Sequence, residues 1–242
     1  MLKAYLKRSE FVVGLARAIR GLIRDSCVLL WLITRRKHFR VYSRTHPVKK
    51  LQLGSSKHSL DGWLNTDILA PHGSTVYLDA TRHFPFKDNT WDYITAEHMI
   101  EHVEFEAAQR MLHECFRVLK PGGRVRIATP NLEVILALYC KEKTSAQRNY
   151  IDWVIKTLMP HVRECQDVFV INNFFRAWGH LFLYDKETLQ RALHASGFRS
   201  TKFYRPGESD DLALRNIESH GREVTDEINQ FETIVIEGEK SL

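Results

Sequence analysis

The sequence lacks long apolar runs, paired cysteines and a glycine-rich dinucleotide turn, and each absence argues against a class of protein. The run Cys27–Ile33 is far shorter than the roughly 20 apolar residues of a membrane-spanning helix. The cysteines Cys27, Cys115, Cys140 and Cys165 are widely spaced without a Cys-x-x-Cys pair, which does not favour a disulfide framework or zinc knuckle. No Gly-x-Gly-x-x-Gly turn with an acid about 20 residues later indicates a nicotinamide cofactor.

The composition is that of an ordinary globular protein with an uneven charge. At 242 residues, 44% hydrophobic and 26% charged, the chain can bury one good-sized core, so we expect one catalytic domain with attachments. Residues 1–50 hold thirteen Lys or Arg against two acids, a net charge of +11 in a chain whose total is +6. The remaining residues therefore carry −5, and the basicity belongs to the N-terminal arm.

The arm, residues 1–48, contains a predicted basic amphipathic helix. Within Glu10–Asp25 apolar residues recur at three- and four-residue steps, and arginines fall on the opposite side. Such a helix can lie on anionic lipid, or pack on the catalytic domain or a dimer partner. Nucleic-acid binding is the least favoured interpretation, because no aromatic-interleaved RNA module accompanies the arm. The start shows no usual signal-peptide core and cleavage site, so we expect a cytoplasmic protein, peripheral on the inner face of the membrane if the arm binds lipid.

From Lys49 onward, short apolar runs alternate with helical patterns, which predicts an α/β fold: a Rossmann-like, mostly parallel sheet with an antiparallel C-terminal edge strand. The predicted strands are Lys50–Leu53, Trp63–Ile68, Thr75–Asp79, Trp91–Thr95, Arg124–Thr129, Phe198–Tyr204 and Phe231–Glu237. The predicted helices are Phe105–Leu119 and Lys186–Ser196. Residues 132–170 are predicted to form a helical cap inserted into a domain that spans residues 49–242.

Small and acidic residues follow three of these strands. Gly54, Ser55 and Ser56 come after the first strand, where a ligand can approach bare backbone N–H groups, although a glycine there is often only a turn. Asp67 ends the second strand, where a carboxylate can accept both hydroxyls of a ribose or cap a turn. Asp79 ends the third, placed to accept from an adenine amino group. Together they predict a nucleoside site at the carboxyl edge of the sheet.

The order of these motifs resembles the class I S-adenosylmethionine-dependent methyltransferases, and within them a bacterial methyltransferase-domain family. The resemblance covers about residues 50–240, and its most specific part is Arg117–Gly123 before the fifth strand. It implies that Gly54 and Ser55 face the methionine part of S-adenosylmethionine, that Asp67 holds the ribose and that Asp79 with Ala80 frames the adenine. The full set of expected cofactor-binding residues is Gly54, Ser55, Ser56, Asp67, Ile68, Asp79, Ala80 and Glu97.

Two departures from the class accompany this resemblance. The loop after the first strand lacks the acid-x-Gly-x-Gly-x-Gly form, and only thirteen positions separate Gly54 from Asp67. The usual helix between the first two strands must therefore be short or missing.

The segment Glu97–His102 supports two interpretations. The resemblance places Glu97 and His98 beside the transferable methyl. His98-Met-Ile-Glu101-His102 also matches His-x-x-Glu-His, a spacing that can put two imidazoles on one helix face as ligands of a hydrolytic zinc. A catalytic zinc also needs a third protein ligand, so we predict no metal and retain a zinc hydrolase as an alternative. His102 can equally be a packed helix residue.

The segment 171–185 concentrates aromatics, amides, one Arg and one His. It predicts an acceptor pocket formed by Asn173, Arg176, Trp178 and Tyr184, or alternatively core packing of its aromatic residues. A hydroxyl acceptor loses a proton during methylation, so a general base is expected among His180, His102, Glu97 and His98.

The predicted function is O-methylation of a hydroxyl of a sugar, glycan or related small acceptor. A membrane-associated scaffold that binds S-adenosylmethionine without turnover is an alternative. The sequence does not indicate an oligomeric state.

Overall fold

The computed structural model describes residues 31–32, 34–69 and 75–241. Seven strands form one sheet in the order β3-β2-β1-β4-β5-β7-β6. Their bounds are β1 Lys50–Leu53, β2 Leu64–Asp67, β3 Val76–Tyr77, β4 Trp91–Glu97, β5 Leu119–Pro130, β6 Ser200–Tyr204 and β7 Thr233–Glu239. Strands β1 to β5 are parallel neighbours, and β7 pairs antiparallel with both β5 and β6. The predicted Rossmann-like mixed sheet is confirmed, with the antiparallel strand lying between β5 and the edge strand β6.

Helices cover the sheet and form a separate layer near its carboxyl edge. Residues 34–45 are helical and are called α1. The others are α2 Phe105–Val118, α3 Leu132–Leu136, α4 Ser145–Leu158, α5 Asp167–Arg176, α6 Lys186–Ala195 and α7 Asp226–Glu232. Polar caps fix where several begin: Thr144 and Gln147 form a capping box for α4, and Asp185 accepts from the N–H of Thr188 at the start of α6.

Several predicted strand bounds change in the structure: β5 begins at Leu119 instead of Arg124, and β6 begins at Ser200 instead of Phe198. The last strand was expected from Phe231, but Phe231 and Glu232 complete α7, which Thr225 caps, so β7 begins at Thr233. Between β1 and β2 the chain makes turns without any helix, as the short spacing predicts. The segment 132–170 contains α3, α4 and the start of α5; its treatment as a separate insertion remains a prediction.

Two apolar clusters hold these layers together. The larger one joins the sheet to α2, whose Ala108, Met111, Leu112 and Cys115 recur at helical spacing and are fully buried. The smaller one joins α3, α4, α5 and α7. Because the helices of the second cluster stand beyond the ends of β1 and β4, a space remains between that cluster and the sheet edge.

Helix α1 packs on the sheet domain through aromatic residues and leaves its basic residues exposed. Phe39 meets Phe86 edge to face, and the Tyr42 hydroxyl bonds the carbonyls of Lys50 and Gly62 at 3.0 and 2.9 Å. The exposed basic residues are Arg36, Lys37, Arg40 and Arg44. The predicted helix within Glu10–Asp25 lies outside the described residues. Among the described residues, no helix is long and apolar enough to cross a membrane.

Candidate functional site

A cavity of about 420 Å³ opens at the carboxyl ends of β1 and β4. These neighbouring strands are parallel, but β1 is followed by β2 on one side of the pair, and β4 is followed by β5 on the other side. The cavity therefore lies at the topological switch point, where open α/β sheets bind ligands. One side, here called the helical wall, is formed by Tyr150, Trp153, Val154, Leu158 and Phe174. The opposite side, the loop wall, is formed by Ser219, His220, Glu223 and Val224.

The loop after β1 forms the floor of the cavity. Gly54 has a φ of +65°, and a Cβ at this position would lie 2.5 Å from Cγ of Met99, so conformation and space both require glycine. The Ser55 hydroxyl is buried without a hydrogen-bond partner among the described residues, although the residue lines the cavity. The N–H of Ser56 donates to Asp67 at 2.9 Å. This floor therefore offers the Ser55 hydroxyl, a buried polar group without a partner among the described residues, to a ligand.

The predicted ribose and adenine residues do not line this cavity. Asp67 lies behind the floor, where its other carboxylate oxygen accepts from the N–H of Leu69 at 2.8 Å, and Ile68 beside it is exposed. Asp79 accepts from the N–H and hydroxyl of Thr81 and pairs with Arg82 at 3.0 Å. Both carboxylates stabilise local turns at the sheet edge.

Glu97, at the end of β4, holds the loop wall. Its carboxylate accepts from the N–H of Ser219 at 2.7 and 2.9 Å, from the Ser219 hydroxyl at 2.8 Å and from the N–H of His220 at 2.7 Å. Both oxygens are thus engaged by residues more than 120 positions away. The arrangement positions the loop rather than leaving a free base.

His98 and Glu101 form a buried pair beneath the cavity. Nδ1 of His98 lies 3.2 Å from Glu101, and the His98 ring lies 3.8 Å from that of His220. Burial alone lowers the pKa of His98, but the hydrogen bond and charge of Glu101, with further acids nearby, outweigh it and raise the pKa. Burial likewise raises the pKa of Glu101, but the hydrogen bond and charge of His98 lower it overall. The contact fixes the orientation of both side chains.

The helix that would bring His98 and His102 together as zinc ligands is absent. His98 has a φ of +44° and precedes a single 3-10 turn, Ile100–His102. His98 is directed at Glu101 and His220, whereas the exposed His102 lies beside His180, with ring centroids 5.1 Å apart. The spacing argument for a His98–His102 zinc pair therefore fails.

His180 and His102 meet Glu101 at the far end of the cavity. Nδ1 of His180 bonds the carbonyl of Phe174 at 2.7 Å, which leaves Nε2 as the nitrogen with a free lone pair. Burial lowers the pKa of His180 despite that bond. One ligand atom from each of the three residues lies within 4.8 Å of the other two.

The predicted acceptor residues differ in whether they reach the cavity. Trp178 lines the cavity and is 48% exposed, with a φ of +57°. Arg176 is exposed and lies outside the lining, as does Asn173. Tyr184 is fully buried in the larger apolar cluster, because its ring packs against Phe182. Of the four residues, the structure brings only Trp178 to the cavity.

Several cavity residues were not predicted from the sequence. His220 bonds Glu232 at 2.8 Å, and Glu232 also accepts from the Tyr150 hydroxyl, so the loop wall, α7 and the helical wall share one carboxylate. Glu223 pairs with Lys57 at 2.7 Å and with His58 at 2.6 Å, which joins the loop wall to the floor. The family resemblance spans this region, but no motif or spacing in the sequence marked these residues as part of a site.

An ion cluster behind the loop wall fastens it to the sheet. Arg126 of β5 is fully buried and donates to Glu218 at 2.5 Å, to Glu237 of β7 at 2.6 Å and to the carbonyl of Glu208 at 2.9 Å. Burial raises the pKa of Glu237 even though Arg126 opposes it. Because the carboxylates and the carbonyl share one guanidinium, Glu218 attaches the neighbouring loop wall to the buried part of the sheet.

A Rossmann-like sheet with an apolar and polar cavity at its switch point defines an α/β enzyme of the nucleotide-cofactor type. Residues 63–127, from just before β2 into β5, match the family model of the methyltransferase domain. This match supports the predicted class, a class I methyltransferase whose cofactor is S-adenosylmethionine.

Solved methyltransferase structures resemble the chain at low identity. An S-adenosylmethionine-dependent methyltransferase from Archaeoglobus fulgidus is 17% identical over 90% of this chain and 94% of its own, with a TM-score of 0.47. One from Thermotoga maritima is 14% identical over 87% of this chain and 100% of its own, with a TM-score of 0.46. A phosphoethanolamine N-methyltransferase from Haemonchus contortus, solved with S-adenosylhomocysteine, is 12% identical over 86% of this chain and 53% of its own, with a TM-score of 0.40. No curated protein matches the sequence.

Proposed function

We propose that the protein transfers the methyl group of S-adenosylmethionine to a hydroxyl of a sugar, glycan or related small acceptor. The observation that carries the proposal is that the Gly54 floor and the His102–His180 pair face one cavity. A cofactor on the floor and an acceptor at the histidine end would meet inside it. The acceptor oxygen would attack the methyl carbon, the carbon–sulfur bond would break, and the hydroxyl proton would be released.

The floor suits the methionine end of the cofactor. The buried Ser55 hydroxyl has no partner and can bond the cofactor's amino or carboxyl group. Asp67 fixes the floor through Ser56, and a carboxylate with two oxygens has lone pairs left for ribose hydroxyls. The adenine would then extend toward Ile68, Asp79 and Ala80 at the sheet edge.

The opposite end suits a polyhydroxylated acceptor. Trp178, Trp153 and Phe174 present aromatic faces, on which the apolar face of a sugar ring can lie. His102 and His180 are the polar groups nearest this end, and they handle the hydroxyl proton. The enzyme's main contribution is to hold oxygen, carbon and sulfur in line and to exclude water.

Titration of the purified chain with S-adenosylhomocysteine tests the cofactor site. We expect saturable binding that Asp67→Ala weakens at least about tenfold, because the floor loses its anchor. Asp61→Ala, an exposed aspartate in the turn before β2, is the matched control and should bind normally. A folded wild-type chain that does not bind would refute the proposal.

Transfer of labelled methyl to a panel of sugars, nucleotide sugars and glycolipids tests the acceptor class. Product on at least one hydroxyl acceptor is expected, and replacing both His102 and His180 by alanine should abolish it without loss of S-adenosylhomocysteine binding. Unchanged turnover in the double variant would reject their role. Methylation of amines alone would reject the hydroxyl acceptor, and binding without turnover on any acceptor would favour the scaffold alternative.

The basic arm is proposed to hold the enzyme on an anionic membrane. The exposed Arg36, Lys37, Arg40 and Arg44 add positive charge next to the predicted amphipathic helix. Salt-sensitive binding to anionic vesicles, lost on deletion of residues 1–30, is expected. This deletion leaves Tyr42 and its bonds to Lys50 and Gly62 in place, so loss of binding would not come from loss of packing. Equal binding by the truncated chain would contradict the proposal.

A further inference from the structure

We infer that Glu101, His102 and His180 form a binding site for one divalent transition-metal ion at the acceptor end of the cavity. Each residue offers one ligand atom, these atoms lie within 4.8 Å of one another, and all three residues line the cavity. The ligand set, two imidazoles and one carboxylate, is typical of Zn²⁺ and related ions. This assignment replaces the sequence prediction of no metal, and it shares only His102 with the His98–His102 pair.

Glu101 has the properties of a metal ligand. The residue is fully buried, and within the described part of the chain its Oε1 has only the ion pair with His98 at 3.2 Å, without a well-aligned hydrogen bond. Its other oxygen accepts from the Thr129 hydroxyl at 3.0 Å. A buried carboxylate oxygen without a full partner is costly, whereas a cation at the cavity surface would satisfy it.

His180 is held in the orientation that a metal ligand requires. Nδ1 bonds the Phe174 carbonyl, so Nε2 carries the lone pair, as in metal sites where a backbone oxygen fixes the imidazole tautomer. A zinc ion with ligands at about 2.1 Å needs ligand atoms about 3.4 Å apart. The exposed His102 ring can rotate to close the remaining distance, and the open cavity leaves positions for water or an acceptor.

The ion would activate the acceptor hydroxyl in the proposed methyl transfer. This role rests on the proposed function, whereas binding of the ion does not. An acceptor hydroxyl bound to the ion is more acidic than a free hydroxyl, because the cation stabilises the alkoxide. With the ion present, His102 and His180 handle the hydroxyl proton indirectly, as ligands. An ion held by Glu101, His102 and His180 would favour loss of the hydroxyl proton to solvent, and the acceptor oxygen would take the methyl group as the carbon–sulfur bond breaks.

Calorimetric titration of the chelator-treated, full-length chain with Zn²⁺ tests the site without any turnover. We expect one ion per chain, a visible absorption band with Co²⁺, and no binding of Mg²⁺, which prefers oxygen ligands. His102→Ala and His180→Ala should each weaken Zn²⁺ binding by more than about 100-fold, the upper range for loss of outer-shell partners alone. Glu101→Gln is a third test of the site. Because Glu101 is buried this variant can fail to fold, whereas His102 is exposed and His102→Ala should fold normally.

Two controls separate this site from adventitious binding. His161→Ala removes an exposed histidine outside the cluster, and the Cys140→Ser, Cys165→Ser double variant removes two free thiols. Both should bind Zn²⁺ as the wild type does. No binding by the wild type, binding lost with the thiols, or binding unchanged in His102→Ala and His180→Ala would overturn the inference. S-adenosylhomocysteine binding is measured on the same samples: its absence beside intact Zn²⁺ binding would refute the proposed function and leave the ion site standing.

Discussion

Replacing Glu97 by alanine should loosen the loop wall and destabilise the fold as well as the site. The carboxylate accepts from the backbone N–H groups of Ser219 and His220 and from the Ser219 hydroxyl. Without it, two partly buried N–H donors lose their partner, at about 1–3 kcal/mol each. Because water reaches a partly buried site, we expect the lower part of that range, about 2–3 kcal/mol in total. For a chain of this size the midpoint of thermal unfolding should fall by about 4–12 °C.

Thermal unfolding and S-adenosylhomocysteine titration of the same samples test this reasoning. Glu97→Ala should also weaken cofactor binding at least about tenfold, because the wall that carries His220 becomes disordered. Glu97→Gln keeps one acceptor and should lose less, and Ser219→Ala removes a single hydroxyl bond and should cost about 1 kcal/mol or less. Weaker cofactor binding with unchanged unfolding would show that Glu97 acts by direct contact, and would refute the positioning role.

Two further predictions concern the floor and its link to the loop wall. Gly54→Ala should reduce S-adenosylhomocysteine affinity more than tenfold (about 1.4 kcal/mol), since its Cβ would displace Met99; Gly62→Ala, with a similar φ of +76° and open space around it, should bind normally. Hydrogen bonds from Lys57 and a neighbouring imidazole lower the pKa of Glu223 to about 2. Its stabilising contribution, about 1 kcal/mol or less for so exposed a pair, is present above its unfolded pKa of about 4.5 and lost as pH falls toward 2. The difference in urea stability between wild type and Glu223→Gln should therefore shrink from about pH 6 to pH 3; a constant difference would contradict it.

The sequence predicted the sheet well because local patterns decide it. The strand Lys50–Leu53 is confirmed with the same bounds, and α2 ends one residue before the predicted Leu119, where β5 begins. The start of β7 was wrong, because alternating residues after Phe231 do not reveal that a helix capped at Thr225 still continues.

The site was harder to predict because its contacts join distant parts of the chain. Glu97 was predicted to be a catalytic or cofactor-binding residue. The sequence around it does not indicate its contact with Ser219, which lies 122 positions later. The interpretation of His98 and His102 depended on a regular helix, which the left-handed backbone at His98 prevents. Ser219 and His220 lie within the span of the family resemblance, yet only the fold shows that they form a wall of the cavity.

The ion cluster at Arg126 has a consequence for how acceptor choice can change. One guanidinium ties Glu218, Glu237 and the Glu208 carbonyl into the core, so a substitution of Glu218, next to the loop wall, would leave the buried Arg126 short of a charged partner and threaten the folding of the domain. The helical wall depends instead on interchangeable apolar contacts around Val154. Directed evolution toward new acceptors should therefore succeed on the helical side of the cavity, while libraries that vary Glu218 should yield mostly insoluble protein.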